Sequence, residues 1–406
     1  MKGSSTLAIK PISNIERFLK SEATAGLMLM AAAAMALAVA NSPLASSYAA
    51  FVDLPLTVGA GPFALSKTVL HWVNDGLMAA FFFLVGLEIK REAVAGELST
   101  RAKAALPVLA ATAGMAVPAA VYAIFNWGSP DVRGWAIPTA TDIAFALGIM
   151  ALLGRRVPVS LKIFLTALAV IDDLGAVVII AIFYTADLSA PALIASALCM
   201  MALAVLNRRG VRNSAAYVLL GLMLWVAVLK SGIHPALAGV VTALAVPAST
   251  ADAGESPLTA LERALHPWVA FLILPLFAFC NAGVAAGEIT LGALTHPVTL
   301  GIGIGLFAGK QLGVLGVTWL AHATGWVRLP AGVTVWQYYG VVLLTGVGFT
   351  MSLFIGGLAF ADPEHLAEVK IGVLAGSLLS GISGYVVLRL SCRLPPTADH
   401  RPGVIE

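Results

Sequence analysis

Leu168-Ala169-Val170-Ile171-Asp172-Asp173-Leu174-Gly175-Ala176-Val177-Val178-Ile179-Ile180 sets two adjacent carboxylates in the middle of an apolar run from Ile163 to Tyr184. A bilayer-spanning helix needs roughly 20 apolar residues, and this run is long enough. One charged aspartate at mid-membrane costs at least about 2.5–3.5 kcal/mol on insertion scales. Two side by side cost more, because each ionised group repels the other. A bland reading has neighbouring donors satisfy the pair and packing retain it. The sharper reading is a site that exchanges protons for a cation, since ionisable groups inside membranes are functional by default.

Composition sets the class. Of 406 residues, 59% are hydrophobic and 11% charged, against about 25% charged in soluble domains. The chain therefore reads as an all-α polytopic membrane protein. A net charge of +3 suggests no nucleic-acid partner. Cys199, Cys280 and Cys392 have no paired spacing, so neither a disulfide framework nor a bound metal or cofactor is expected. The first apolar run reads as a spanning helix, not a signal peptide.

Residues 1–22 read as a cytoplasmic tail, with a short amphipathic helix at 15–20. A single transporter domain is expected over 23–394, and a disordered cytoplasmic tail over 395–406. About twelve spans are expected, near 23–40, 69–86, 104–125, 135–153, 163–184, 191–206, 215–229, 233–246, 267–285, 297–320, 335–360 and 369–390. A polar loop is expected at 247–265. Between the first two spans, Val52, Leu54, Leu56 and Val58 alternate with other residues, a Gly59-Ala60-Gly61-Pro62 turn follows, and Phe63 and Leu65 alternate again. This predicts a β-hairpin within the segment 43–68. An isolated hairpin is marginal and leaves open edges, which favours pairing with a second copy over lying on its own subunit.

Two spans are poor helix material at their centres. The fourth carries Pro138-Thr139-Ala140-Thr141-Asp142, and the eleventh Gly346-Val347-Gly348-Phe349-Thr350-Met351-Ser352. Both predict interrupted helices whose freed backbone groups line a cavity. The tenth span holds Lys310 deep in a glycine-rich run. Spans three to five and ten to twelve thus each have an interrupted middle member, the pattern of an inverted repeat and a pointer to a transporter site. Lys and Arg number 19 on one side of the twelve spans and 4 on the other, which puts both termini in the cytoplasm.

These stretches resemble the NhaA family of sodium/proton antiporters. The resemblance rests on Trp135–Pro138 leading into Thr141–Gly148, on Leu168–Ala176, and on Phe83-Leu84-Val85-Gly86-Leu87-Glu88-Ile89-Lys90-Arg91-Glu92. It extends to Leu229-Lys230-Ser231-Gly232-Ile233-His234, His266-Pro267-Trp268-Val269, Leu272–Phe279 and Gly346–Ser352. The family is itself a known case of inverted repeats, so the repeat and the resemblance are not independent.

The resemblance implies that Asp173 is the principal ligand for Na⁺. Asp172 helps bind the ion or pairs with Lys310 when the site is empty, and Thr141 offers a further oxygen. Asp142 offsets the positive ends of half-helices and Lys310 the negative ends. Glu88, Arg91, Glu92 and Glu262 form a cytoplasmic pH-sensing cluster, and His234 modulates the pH response from the opposite face. Transport is electrogenic, Li⁺ can replace Na⁺, and the hairpin forms a homodimer in the bacterial inner membrane. Two positions depart from the family pattern: Gln311 stands where proline is expected, and Arg263 where histidine is expected.

The residues support the same chemistry. Na⁺ is a hard cation and takes carboxylate, hydroxyl and carbonyl oxygens, while soft ligands for a transition metal are absent. Burial disfavours a charged carboxylate, and so does a second one beside it, so the pair exchanges protons as a coupled unit. Blander roles exist for several groups. Asp142 could only cap a half-helix, Lys310 could snorkel, and Glu88–Glu92 could be a solvated helix end. Lys230 and His234 read as a boundary anchor and a satisfied polar group, and Asp75 as a funnel or interface residue. An intramembrane aspartyl protease using Asp142 and Asp173, or a sodium-coupled symporter, are the rival functions. The protease lacks a glycine-rich signature at its second aspartate and leaves Lys310 without a job. A prenyl-transfer enzyme is set aside, because it needs two acidic motifs holding Mg²⁺. No enzymatic activity is expected.

Overall fold

The structure, a computed structural model, describes residues 14–59, 64–185, 188–248, 255–326 and 332–392. The tail before residue 14, the hairpin tip at 60–63, Arg328 and the tail 395–406 lie outside the described residues. Among the described residues, nine helices are long and apolar enough to cross a membrane, and a bent pair makes a tenth. Two shorter apolar helices, Ser214–Leu229 and Ala236–Ala245, complete the twelve crossings of the sequence.

The first span ends a helix that starts at Asn14, so the expected surface helix at 15–20 is continuous with it. The second is Val69–Ala95 and the third Lys103–Phe125. The fourth is the bent pair Pro130–Thr139 and Ile143–Leu152, the fifth Val159–Phe183 and the sixth Ala190–Arg208. The ninth is Pro257–Asn281, the tenth Pro297–Ala323 and the twelfth Pro363–Ser391. The eleventh divides into Val335–Thr345 and Phe349–Ala359.

Several boundaries differ from the sequence expectation, each for a local reason. The ninth span starts at Pro257, within the expected polar loop, because Ser256 caps it by accepting from Thr259 N. Proline is tolerated in a first turn, where no N–H is needed. Pro267, expected at the start, is inside that helix, and a widened π turn at Val269–Ile273 follows it. The twelfth span likewise starts earlier, at Pro363, capped by Asp362. Lys370 lies on this helix. The second span runs on through Glu88 and Glu92. In the 43–68 segment, a helix at Ala45–Val52 replaces the first expected extended residues.

The hairpin itself forms. Strand β1, Pro55–Val58, pairs antiparallel with β2, Leu65–Thr68, with Leu56 opposite Lys67. Every residue of β1 is exposed.

Small residues set the approach of the tenth span to the third. A Cβ on Gly313 would lie 2.3 Å from the Ala113 carbonyl oxygen, and one on Gly309 2.9 Å from Pro118 Cα. Such close contact is how membrane helices gain packing energy without a hydrophobic drive between them. A π turn at Gly305–Gly309 comes immediately before Lys310.

Candidate functional site

The two breaks meet. Residues 140–142 are extended between the halves of the fourth span, and residues 346–348 lie between the halves of the eleventh. Asp142 N donates to the Val347 carbonyl at 2.6 Å, which fixes one break against the other. Each break exposes backbone donors at one half-helix start and carbonyls at another half-helix end. Asp142 serves both starts. Its Oδ1 accepts from Phe145 N at 2.9 Å, and its Oδ2 accepts from Thr350 N at 3.0 Å and Thr350 Oγ1 at 2.5 Å. A carboxylate there also complements the positive ends of both half-helices.

The opposite charge sits across from it. Lys310 Nζ donates to Asp172 Oδ2 at 2.6 Å and to Thr141 Oγ1 at 3.0 Å. Both Lys310 and Asp172 have 0% exposed side chains. Thr141 Oγ1 is 2.7 Å from Asp172 Oδ2 and 2.8 Å from the Thr345 carbonyl, and its one proton can serve either acceptor. That carbonyl closes the first half of the eleventh span, so the ammonium is one hydroxyl away from a negative helix end.

Oxygens are left over. Asp172 Oδ1 and Asp173 Oδ1 are both buried without a hydrogen-bond partner. Unpaired buried carboxylate oxygens are costly in a packed protein. The donor set is two carboxylates, a hydroxyl and a backbone carbonyl, all hard oxygen. Asp142, by contrast, is engaged by three donors. A shared-proton dyad of Asp142 with Asp173 therefore has little geometric support. Among the described residues, no cluster of three or more His, Cys, Asp or Glu could hold a metal ion.

The structure brings Arg91, Glu92 and Glu262 together near the ends of the second and ninth spans. Arg91 Nε donates to both Glu262 oxygens, at 3.0 and 3.1 Å, and its Nη1 donates to Glu92 Oε1 at 2.7 Å. Glu92 Oε2 accepts from Glu97 N. Glu88 lies one turn before Glu92 and is half-buried. Arg263 stands apart and pairs with Glu255. Lys90 donates to the Leu244 and Val246 carbonyls, where the eighth helix ends.

His234 is at the other side of the membrane domain. Its Nδ1 accepts from Ala236 N, and its Nε2 is 3.8 Å from Asp75 Oδ1. Asp75 also pairs with Lys67 of β2 at 2.7 Å. His234 and Asp75 line a cavity of about 670 Å³ with Asn74, Asn281 and Lys370. Asp75 thus lines a cavity and bridges Lys67 and His234. Gln311 donates to the Phe307 carbonyl and accepts from Tyr339, so the position expected to be proline ties the tenth span to the eleventh.

Ser377 was not legible beforehand. It accepts from Gly348 N at the second break, and a lone serine in an apolar helix carries no signal of its own. The Thr345 carbonyl was equally silent, since backbone oxygens leave no trace in side-chain patterns.

Residues 16–388 match the family model described as Na+/H+ antiporter 1. A Na(+)/H(+) antiporter NhaA of Rhodospirillum rubrum is 56% identical over 397 residues, covering 95% of this chain and all of the relative. A Pseudomonas putida protein of the same description is 52% identical over 382 residues, covering 93% and 98%. One from Bordetella parapertussis is 55% identical over 390 residues, covering 95% and 97%. With a broken-helix crossing, a buried aspartate pair and likeness along nearly the whole length, this chain belongs to the NhaA family of Na⁺/H⁺ antiporters, multi-pass membrane proteins of bacteria.

Proposed function

We propose that this chain exchanges Na⁺ or Li⁺ for protons across the bacterial inner membrane, with both termini cytoplasmic. Cation and proton compete for Asp172, Asp173 and Thr141. The observation that carries this reading is the pair of buried, unpartnered oxygens, Asp172 Oδ1 and Asp173 Oδ1, on neighbouring residues of which Asp172 touches the Thr141 hydroxyl through its other oxygen.

The residues divide the work. Asp173 makes no ion pair among the described residues, so it takes either a proton or the ion. Asp172 is held by Lys310 while the ion is absent. An arriving cation draws Asp172 Oδ2 toward itself and weakens its hold on the ammonium. Protons leave as the ion binds, and their return expels it. The Asp173 carboxyl gives up one proton and the Lys310 ammonium, released from Asp172, gives up a second, so two protons leave for one monovalent ion and exchange would be electrogenic. Asp142 remains a capping charge throughout, because its oxygens are occupied by backbone and Thr350 donors. No cofactor is required.

Regulation by pH falls to the Arg91–Glu92–Glu262 network with Glu88 on the cytoplasmic side, and to His234 with Asp75 on the other. The network joins the second and ninth spans, so loss of a carboxylate charge would loosen that contact. A homodimer through the 43–68 hairpin completes the reading.

Purified protein in sealed vesicles with an acid interior and a trapped pH dye tests the proposal. Addition of NaCl or LiCl outside is expected to alkalinise the interior, and choline chloride is not. The signal is expected to shift with an imposed membrane potential. Asp173→Asn is expected to abolish it while folded protein remains in the membrane. Full activity in that variant would remove the site assignment. Protein cleavage, or solute uptake driven by Na⁺ alone, would return the pair to the rival functions.

A further inference from the structure

We infer that Ser377, on the twelfth span, is a positioning residue for the cation site, acting through one peptide group in the break of the eleventh. The inference rests on the exchange site proposed above. Val347 and Gly348 share a peptide unit. Its carbonyl accepts from Asp142 N at 2.6 Å, and its N–H donates to Ser377 Oγ at 3.2 Å. A peptide is planar, so fixing its N–H also fixes the direction of its carbonyl. The serine hydroxyl thereby sets where the backbone of Asp142 is held. Thr141, one residue before, carries the hydroxyl that touches Asp172 and Lys310.

The break needs such a partner. Gly348 is the cap residue of the half-helix Phe349–Ala359, and its N–H has no carbonyl one turn back to bond. In a dry interior an unbonded N–H is costly, so an acceptor must come from outside the span. Ser377 is buried, and its helix passes directly behind the break. A glycine in the break permits this: a Cβ on Gly346 would lie 3.1 Å from Ser380 Cβ of the twelfth span. Ser380, nearly one turn further on, provides an internal comparison. It is equally buried and near Gly346, yet its Oγ has no hydrogen-bond partner.

The test uses the full chain in sealed vesicles and measures initial exchange rates against NaCl concentration. Ser377→Thr keeps the acceptor, Ser377→Cys keeps the size with a weak acceptor, and Ser377→Ala removes it. The apparent KM for Na⁺ is expected to match the parent in Ser377→Thr. It is expected to rise about 3- to 10-fold in Ser377→Cys and Ser377→Ala, the span of one net hydrogen bond. The maximal rate should change less than about twofold, since the reacting groups remain. Ser380→Ala should keep the parent KM. Parent-like KM in Ser377→Cys, or an equal rise in Ser380→Ala, overturns the inference. If Ser377→Ala does not accumulate in the membrane, the comparison of Ser377→Thr with Ser377→Cys decides, and equal KM values there also overturn it. Absence of Na⁺-driven exchange in the parent is a different result and removes the exchange reading itself.

Discussion

Asp172 gives up its main partner when the Lys310 ammonium is removed. The carboxylate is fully buried, and among the described residues Thr141 is its only other donor. Breaking a buried pair by deleting one member costs about 3–5 kcal/mol, because the survivor stays charged and dry. Lys310→Ala is therefore expected to lower the thermal midpoint of the purified protein in detergent. Pairing Lys310→Met with Asp172→Asn is expected to recover most of that loss, since no ionised group is then left unpaired. An equal loss in the single and double variants would mean that packing, not charge, is at stake. At this scale much was legible beforehand. Asp142, Asp172, Asp173 and Lys310 stood out as charges in apolar runs, and each is buried at the crossing. Ser377 and the Thr345 carbonyl were not legible. Hydroxyls in membrane helices commonly bond the carbonyl one turn back, as Thr318 and Ser196 do here, and so advertise nothing.

The elements follow a similar division. Proline and hydroxyl residues in the fourth span, and glycines in the eleventh, marked both breaks, because such residues lack helix preference. Which break faces which did not follow, as only tertiary packing places Asp142 N against Val347 O. The ninth span was misplaced at its start because a proline reads alike at a first turn and in an interior. The tenth span tests the packing account. A Cβ at Gly313 would meet a backbone carbonyl that cannot swing aside, whereas one at Gly316 would meet nothing within 4 Å. Gly313→Ala is expected to destabilise by about 1–3 kcal/mol through overpacking. Gly316→Ala is expected to be neutral or to stabilise by up to about 1 kcal/mol, since alanine is the better helix residue. Thermal midpoints of the two variants in the same detergent check the contrast, and a shared direction would contradict it.

Over the whole molecule, side-chain ties join span ends that lie on the same side of twelve crossings. Asn41 reaches Val284 and Lys370 reaches Gly283 on one side, while Lys90 reaches Val246 and Arg91 reaches Glu262 on the other. An odd number of crossings would set these pairs across the bilayer. In a variant lacking the three native cysteines, Leu291→Cys is expected to react with an impermeant maleimide from outside intact cells. Arg209→Cys is expected to react only after the membrane is opened, and the reverse would invert the topology. The hairpin raises the last question at this scale. Strand β1 leaves one edge unpaired and all four side chains exposed, and a lone two-stranded sheet is marginal in water. Its ties to its own subunit include the Trp72 indole N–H to the Leu56 carbonyl and the Lys67–Asp75 pair. A second hairpin at the open edge would satisfy the remaining backbone groups. The hairpin can be removed cleanly, because Val69 N already bonds the Leu54 carbonyl at 3.0 Å and the two ends of the excision meet there. Replacing residues 55–68 by two glycines is expected to halve the mass of the detergent-solubilised particle by light scattering. Na⁺-driven exchange should persist in vesicles, since Asp172, Asp173, Thr141 and Lys310 all come from one chain. An unchanged mass would remove the proposed hairpin dimer, and a halved mass without exchange would mean that the second copy holds the crossing in its working geometry.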